Sequence, residues 1–159
     1  MSGHRGATLL EVLVVAGLLA GLTGIIWLAQ PLFARVALRS AAVTLVADLR
    51  LTQARAITER QADRSHGIDF LGDGSRYSIV TRTGADTTVV REQRLPERVR
   101  VTYVRFGGSM ASGVFFTGVS LFGAPSGGGT VTLAAGGARL CVRVLPATGR
   151  LRISNTGCP

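Results

Sequence analysis

One carboxylate, that of Glu11, lies at the start of a long apolar segment. No charged residue occurs between residues 12 and 34. A carboxylate inside a membrane helix costs roughly 2.5–3.5 kcal/mol on insertion scales, so it usually indicates a partner. If the chain is cleaved after Gly6, the new α-amine of Ala7 lies on the same helix face as Glu11. In a stack of such helices, the amine of one chain then neutralises the carboxylate of its neighbour.

The apolar segment of residues 12–34 is long enough to cross the ~30 Å hydrocarbon core of a bilayer as a helix. A cleavable secretory signal peptide is the alternative, since it also has a basic start and an apolar core. The apolar stretch exceeds the usual length of about 7–15 residues for such a core, and it continues into a second helical pattern. These two features favour a retained segment.

The residues around this segment resemble a known leader sequence. Residues 6–11 read GATLLE, and with the apolar run they are similar to the class III leader of type IV pilins and type II secretion pseudopilins. The resemblance implies cleavage after Gly6 by prepilin peptidase and N-methylation of Ala7. It also implies that Glu11 serves assembly with other pilins or pseudopilins into a filament. The chain departs from the family at Ala7, where Phe or Met is more frequent.

Two further regions follow the apolar segment. Residues 35–60 combine an apolar stripe at helical spacing with a polar face that includes Asp48 and Thr52, which predicts an amphipathic helix. After residue 66 the period changes, and short β-like runs separated by turn signals, most of them glycine-containing, predict antiparallel strands. The fold class is therefore α+β, a long N-terminal helix that covers one face of an antiparallel sheet. The predicted organisation is a leader (1–6), a hydrophobic helix (7–34), an amphipathic helix (35–60) and a β-rich domain (61–159), with strands at 76–82, 87–94, 99–104, 114–116, 130–133, 139–145 and 150–154.

Two further stretches resemble one particular subfamily. Residues 49–57 look like the helix-end motif of the GspH/FimT subfamily of minor pseudopilins and minor pilins, and residues 128–152 also resemble that subfamily. The resemblance implies a pilin-like fold, a single pass through the inner membrane and an extracytoplasmic β domain. Within the subfamily, GspH-type subunits lie near the tip of a secretion pseudopilus, whereas FimT-type minor pilins belong to type IV pili and in some cases bind DNA.

Arginines near the C-terminus form a candidate phosphate-binding site. On a strand, Arg150 and Arg152 share one face, and a hairpin turn at residues 146–149 places Arg143 roughly opposite Arg152. Like charges directly opposite one another destabilise a strand pair, so the cluster favours a bound anion, and guanidinium groups suit phosphate. The resemblance adds that FimT-type proteins hold DNA with a similar Gly-Arg-x-Arg element. Nonspecific binding of double-stranded DNA is thus the alternative function, and a solvated basic face is the other interpretation.

The overall charge also favours a polyanionic partner. All 18 basic residues are arginine, the acidic residues number 9, and the formal net charge is +9. The lack of lysine excludes Schiff-base chemistry and a P-loop lysine. No aromatic residue alternates with the C-terminal arginines, so readout of base sequence is not supported.

The two cysteines, Cys141 and Cys158, bear on the compartment. A disulfide between them would pin the C-terminal tail if the domain faces an oxidising space such as a periplasm. By loop entropy it would contribute about 3 kcal/mol. Two unpaired thiols remain the alternative.

No catalytic centre, cofactor or metal is predicted. Residues 123–130 have the glycine spacing of a P-loop, but Gly129 stands where the lysine is required. His66 lies between Asp63 and Asp69 without a nucleophile motif, so we expect a surface residue in the connection from helix to sheet. The sequence just after His66 lacks the additional acidic residues that a metal-binding loop requires as ligands.

Overall fold

A computed structural model describes residues 8–118, 125 and 127–159, and the side chains of residues 24–31 lie outside that description. The chain divides into two compact units, residues 1–33 and 34–159. The described elements are α1 (Leu9–Glu59), β1 (Arg64–Phe70), β2 (Arg76–Thr83), β3 (Asp86–Arg94), β4 (Arg100–Phe106), β5 (Ser109–Met110), β6 (Gly113–Thr117), β7 (Gly129–Ala135), β8 (Ala138–Val144) and β9 (Leu151–Ser154).

In the first unit, the side chains of residues 8–23 are exposed. A search of the described residues finds no helix with the length and apolar character that a membrane crossing requires. The predicted hydrophobic helix of residues 7–34 includes residues 24–31, whose side chains lie outside the description. Its membrane crossing stays a prediction.

The second unit holds the hydrophobic core. Its strands form two antiparallel sheets rather than one, with the orders β3-β2-β1-β6 and β5-β4-β7-β8-β9. Apolar residues of α1 recur every three or four positions and face both sheets, as an amphipathic helix requires. Core members include Leu38, Leu45 and Leu49 of α1, Ile68, Val114 and Phe116 of the first sheet, and Val131, Leu133 and Val142 of the second. The prediction of a long N-terminal helix packed on antiparallel strands is confirmed.

The helix ends at a residue in the left-handed conformation. Arg60 has φ 46°, and its backbone N–H donates to the carbonyl of Ala56. A left-handed residue after the last helical position is a common way to end a helix, although glycine is the usual residue there. Strand β1 then follows at Arg64–Phe70. The sequence pattern does not predict this strand, because the polar start of RSHGIDF shows no apolar alternation.

Polar residues of α1 and of β1 are buried, although their polarity predicts exposure. Asp48 and Thr52 are buried, and the Asp48 carboxylate accepts hydrogen bonds from the Tyr77 hydroxyl at 2.7 Å and the Arg91 guanidinium at 2.5 Å. Burial is the main reason why the pKa of Tyr77 is raised, with the bond to Asp48 adding to it. These partners come from β2 and β3, so no helical pattern could reveal them.

His66 is likewise buried, with 4% of its surface exposed, rather than lying on the surface. It belongs to β1, where Nδ1 lies 3.1 Å from Thr81 Oγ1 and Nε2 lies 3.0 Å from Glu59 Oε2. The same Glu59 oxygen accepts from Arg64 at 3.1 Å. The ring therefore joins the end of α1 to two strands of the first sheet.

Candidate functional site

The C-terminal hairpin has the register that the sequence predicts. Strands β8 and β9 pair antiparallel, with Cys141 opposite Ser154 and Arg143 opposite Arg152. The turn between them is closed by hydrogen bonds from Leu145 N–H to the Arg150 carbonyl and from Gly149 N–H to the Leu145 carbonyl. Gly149 has φ 63°, a conformation that favours glycine at this tight turn.

The predicted arginines of the hairpin, Arg143, Arg150 and Arg152, are all exposed. Arg143 donates from Nη2 to the carbonyl of Gly157 at 2.7 Å. No ion pair joins any of the three to an acidic side chain within the described residues. Two like charges therefore face each other across the strand pair without internal neutralisation, which leaves room for an external anion.

A fourth arginine extends this cluster across the sheet. Arg105 of β4 pairs with Thr130 of β7, which pairs with Arg143, which pairs with Arg152. We call Arg105, Arg143 and Arg152 the arginine row; Arg150 belongs to the predicted cluster but not to this row. At ~4.8 Å between strands, the row extends about 14 Å from β4 to β9. Val131 and Val142, which neighbour the row along their strands, point into the core, so the row lies on the outer face of the second sheet.

Sequence reasoning did not identify Arg105, since its place in the row depends on the β4–β7 register. Its Nε and Nη2 atoms both donate to the Gly108 carbonyl, at 3.0 and 2.8 Å. An open groove of about 610 Å³ runs beside it, between the β4–β5 turn and the C-terminal tail. The groove is lined by Tyr103, Arg105, Thr130, Gly157 and Pro159, among others, and no acidic side chain lines it.

The C-terminal tail is tethered beside the arginine row. A disulfide joins Cys141 to Cys158, with the two Cα atoms 5.6 Å apart and a sequence separation of 17. Cys141 is fully buried on β8. The bond holds the tail where the carbonyl of Gly157 accepts from Arg143, so the disulfide and the basic cluster share one location.

The predicted processing residues lie at the other end of the chain. Gly6 and Ala7 are outside the described residues. Glu11 is exposed in the first turn of α1, where its backbone N–H donates to the carbonyl of Thr8 at 2.9 Å. An acidic residue in the first turn is stabilised by the helix dipole. Its roles in processing and assembly stay predictions.

The described part of the chain offers no cluster of metal ligands. Within residues 8–118, 125 and 127–159, no group of three or more His, Cys, Asp or Glu side chains is placed to hold a metal ion. Of the glycine-rich stretch 123–130, residues 123, 124 and 126 lie outside the described residues, and Gly129 and Thr130 begin β7.

Solved structures share this architecture. Two structures of the minor pseudopilin EpsH from the type 2 secretion system of Vibrio cholerae match with TM-scores of 0.54 and 0.55, at 17% and 16% identity. They cover 76% and 77% of this chain, and 98% and 96% of their own. The type IV minor pilin FimU of Pseudomonas aeruginosa PAO1 matches with a TM-score of 0.54 at 21% identity, over 74% of this chain and 92% of its own.

By sequence, neither a family model nor a curated protein matches. The structural likeness shows that the chain has a pilin-like fold: one long N-terminal helix followed by antiparallel strands.

Proposed function

We propose, starting from the pilin-like fold, that this chain is a minor pilin-like subunit of the GspH/FimT type. Prepilin peptidase cleaves it after Gly6, Ala7 is methylated, and the subunit enters a type II secretion pseudopilus or a type IV pilus. The observation that carries this proposal is the combination of that fold with the leader-type motif at residues 6–11, which runs into the first turn of α1.

Glu11 has a physical role in this proposal. Its carboxylate lies in the first turn of α1, next to residues without charge, and it is expensive to place in lipid without a cation. The α-amine that cleavage creates at Ala7 of a neighbouring subunit supplies that cation. Neutralisation between chains then favours the assembled filament over the separate subunit in the membrane.

The proposed compartment follows from the two ends of the chain. The uncharged residues 12–34 hold the subunit in the inner membrane before assembly. The disulfide between Cys141 and Cys158 suits an extracytoplasmic, oxidising space for the β domain. The partners are prepilin peptidase, the inner membrane and the other pilins or pseudopilins of the filament. Like the solved pilin-fold proteins that it resembles, the subunit is proposed to act by assembly and not as an enzyme.

Assembly tests the role of Glu11. We expect Glu11→Gln to be cleaved normally but to stay in the membrane fraction when filaments are sheared from cells, with at least about a tenfold loss from the filament fraction. Glu97→Gln, an exposed change of the same charge outside α1, should assemble as the unaltered chain does. Equal assembly of the two variants would refute the proposed neutralisation.

Nonspecific binding of double-stranded DNA is the second candidate function, and the arginine row favours it. Three guanidinium groups on one outer face, spread over about 14 Å, suit a phosphate backbone. A pseudopilus subunit without this function would bind other pseudopilins and show no salt-sensitive affinity for DNA. The two functions therefore differ in a measurable salt dependence.

A DNA-binding test compares Arg150→Ala/Arg152→Ala, which removes one arginine of the row and a second arginine of the same hairpin, with Arg94→Ala/Arg98→Ala, a matched pair of exposed arginines outside both the row and the hairpin. Each lost phosphate contact should lower the slope of log affinity against log salt by about 0.9. We expect the first double variant to lose slope and affinity for duplex DNA, while the second keeps most of both. Equal slopes for the two variants and the unaltered chain would remove the DNA hypothesis.

A further inference from the structure

A second basic groove, separate from the arginine row, opens between α1, just after the start of the second unit, and the start of β8. Its volume is about 430 Å³. Two of its arginines, Arg35 and Arg39, belong to α1, and the third, Arg139, belongs to β8. The lining is completed by the apolar residues Leu38, Ala138 and Leu140 and by Asn155 after β9.

The three arginines of this groove are not neutralised within the protein. All are exposed, and none makes an ion pair or a side-chain hydrogen bond in the described part of the chain. Among the described residues, no acidic side chain lines the groove. Three like charges around one concave surface repel each other, so the groove favours an anion.

The groove also has a defined place along the chain. Arg35 directly follows the uncharged residues 12–34, and Arg39 lies one turn further on the same helix face, ~6 Å along the axis. The headgroup layer on each side of a bilayer is about 5–7 Å thick. An arginine pair with this spacing, at the end of an apolar segment, matches the depth of that layer.

The β7–β8 turn brings the third arginine to the same place. Gly136 of this turn has φ 55°, and a Cβ added there would lie 3.1 Å from the Cβ of Ala34. The turn therefore packs against the first residue of the second unit. Arg139 follows three residues later in β8 and lines the groove with the two helix arginines.

We propose that this groove binds the phosphodiester headgroup of an anionic phospholipid. The inference depends on the proposed function, because it assumes that the subunit resides in the membrane before assembly. Guanidinium groups bind phosphate oxygens in a bidentate manner, and the Asn155 amide can donate a further hydrogen bond. The partly exposed apolar side chain of Leu140 accommodates the glycerol and the first methylene groups. The bound lipid holds the β domain at the membrane surface until the subunit is extracted.

The test uses the full chain in nonionic detergent and native mass spectrometry. Phosphatidylglycerol, phosphatidylcholine and inorganic phosphate are titrated separately. We expect phosphatidylglycerol to bind about tenfold more tightly than phosphatidylcholine, and inorganic phosphate not to displace it at equal concentration. The groove variant Arg35→Gln/Arg39→Gln/Arg139→Gln should lose this preference.

A matched variant controls for net charge. Arg50→Gln/Arg94→Gln/Arg98→Gln removes three exposed arginines elsewhere, one of them on α1, and should keep lipid affinity within about twofold. The single variant Arg39→Gln should lose about threefold, which gives a result even if the triple variant folds poorly. Equal losses in the two triple variants would overturn the proposal. Displacement of the lipid by inorganic phosphate or by duplex DNA would overturn it as well.

A separate measurement distinguishes failure of this inference from failure of the proposed function. Membranes from cells that make the full chain are washed with alkaline carbonate. Release of the chain would refute membrane residence, and with it both the proposed function and the proposed lipid binding. If the chain stays in the membrane and the groove variant binds lipid as the unaltered chain does, only the proposed lipid site in the groove is refuted.

Discussion

Arg91 and Arg152 are both strand arginines with exposed side chains, but their neighbours differ. Arg91 donates to the carboxylate of Asp48, whose other oxygen accepts from Tyr77. Arg152 lies opposite another arginine, Arg143. The first arginine completes a polar network that joins α1 to the first sheet, so its charge serves the fold. The second adds unpaired positive charge on the outer face of the second sheet, which is available to a partner.

The largest expected effect on stability concerns the disulfide, which holds the C-terminal tail beside Arg143 in the second region. Replacing both cysteines by serine (Cys141→Ser/Cys158→Ser) should lower the free energy of unfolding by about 3 kcal/mol, because the unfolded chain gains loop entropy. Denaturant unfolding of residues 34–159, which hold every core residue, measures this change. Equal stability of the oxidised chain and the double variant would contradict it.

The second largest effect on stability concerns the polar network around Asp48 in the first region. Asp48→Ala should lower the free energy of unfolding by about 2 kcal/mol, since it leaves the buried Tyr77 hydroxyl without its acceptor. Asp86→Ala, at an exposed position of β3, is the matched control and should change stability by less than ~0.5 kcal/mol. The same denaturant measurement applies. If the two variants are equally stable, Asp48 does not join the helix to the sheet.

The contrast between the regions is sharpest for Arg152→Glu. This change replaces a like-charge pair with an opposite-charge pair, so the hairpin should gain ~0.5 kcal/mol of stability. Affinity for duplex DNA should fall in the same variant. Arg98→Glu, an equal change of charge outside the hairpin, controls for net charge in both assays. A loss of stability at Arg152 would show that the arginine already has a stabilising partner.

The smallest effect belongs to Glu59. Its hydrogen bond from Arg64 lowers the pKa of the carboxyl below its ordinary value, with desolvation opposing and His66 adding to the lowering. Because the folded-state pKa is the lower one, this group contributes stability above its unfolded pKa, and the contribution is lost as pH falls through the folded pKa. Partial exposure limits it to less than ~1 kcal/mol.

Stability measured across the acidic range, with Glu59→Gln as the comparison, checks this prediction. The unaltered chain should lose more stability on acidification than the variant does. Parallel pH profiles would show that the ion pair with Arg64 contributes nothing.

Local patterns in the sequence were enough for some elements. The helical spacing of apolar residues predicted the packed half of α1, and the glycine turn between β8 and β9 predicted the pairing of Arg143 with Arg152. Both depend on residues close together in the chain. The fold class followed from the change in period after residue 66.

Other features depend on contacts between distant residues, and the sequence pattern missed them. The carboxylate of Asp48 is buried because β2 and β3 supply its donors, and His66 is buried between Glu59 and Thr81. Arg105 joins the arginine row only through the β4–β7 register. The polarity of these side chains predicts exposure unless their partners are known.

The most direct test of the central claim is the intact mass of the chain isolated from cells with an active prepilin peptidase. The account predicts a chain that begins at Ala7 with a methylated α-amine, and the same mature chain in the filament fraction. A chain that retains residues 1–6, or one cut at any other position, would contradict it.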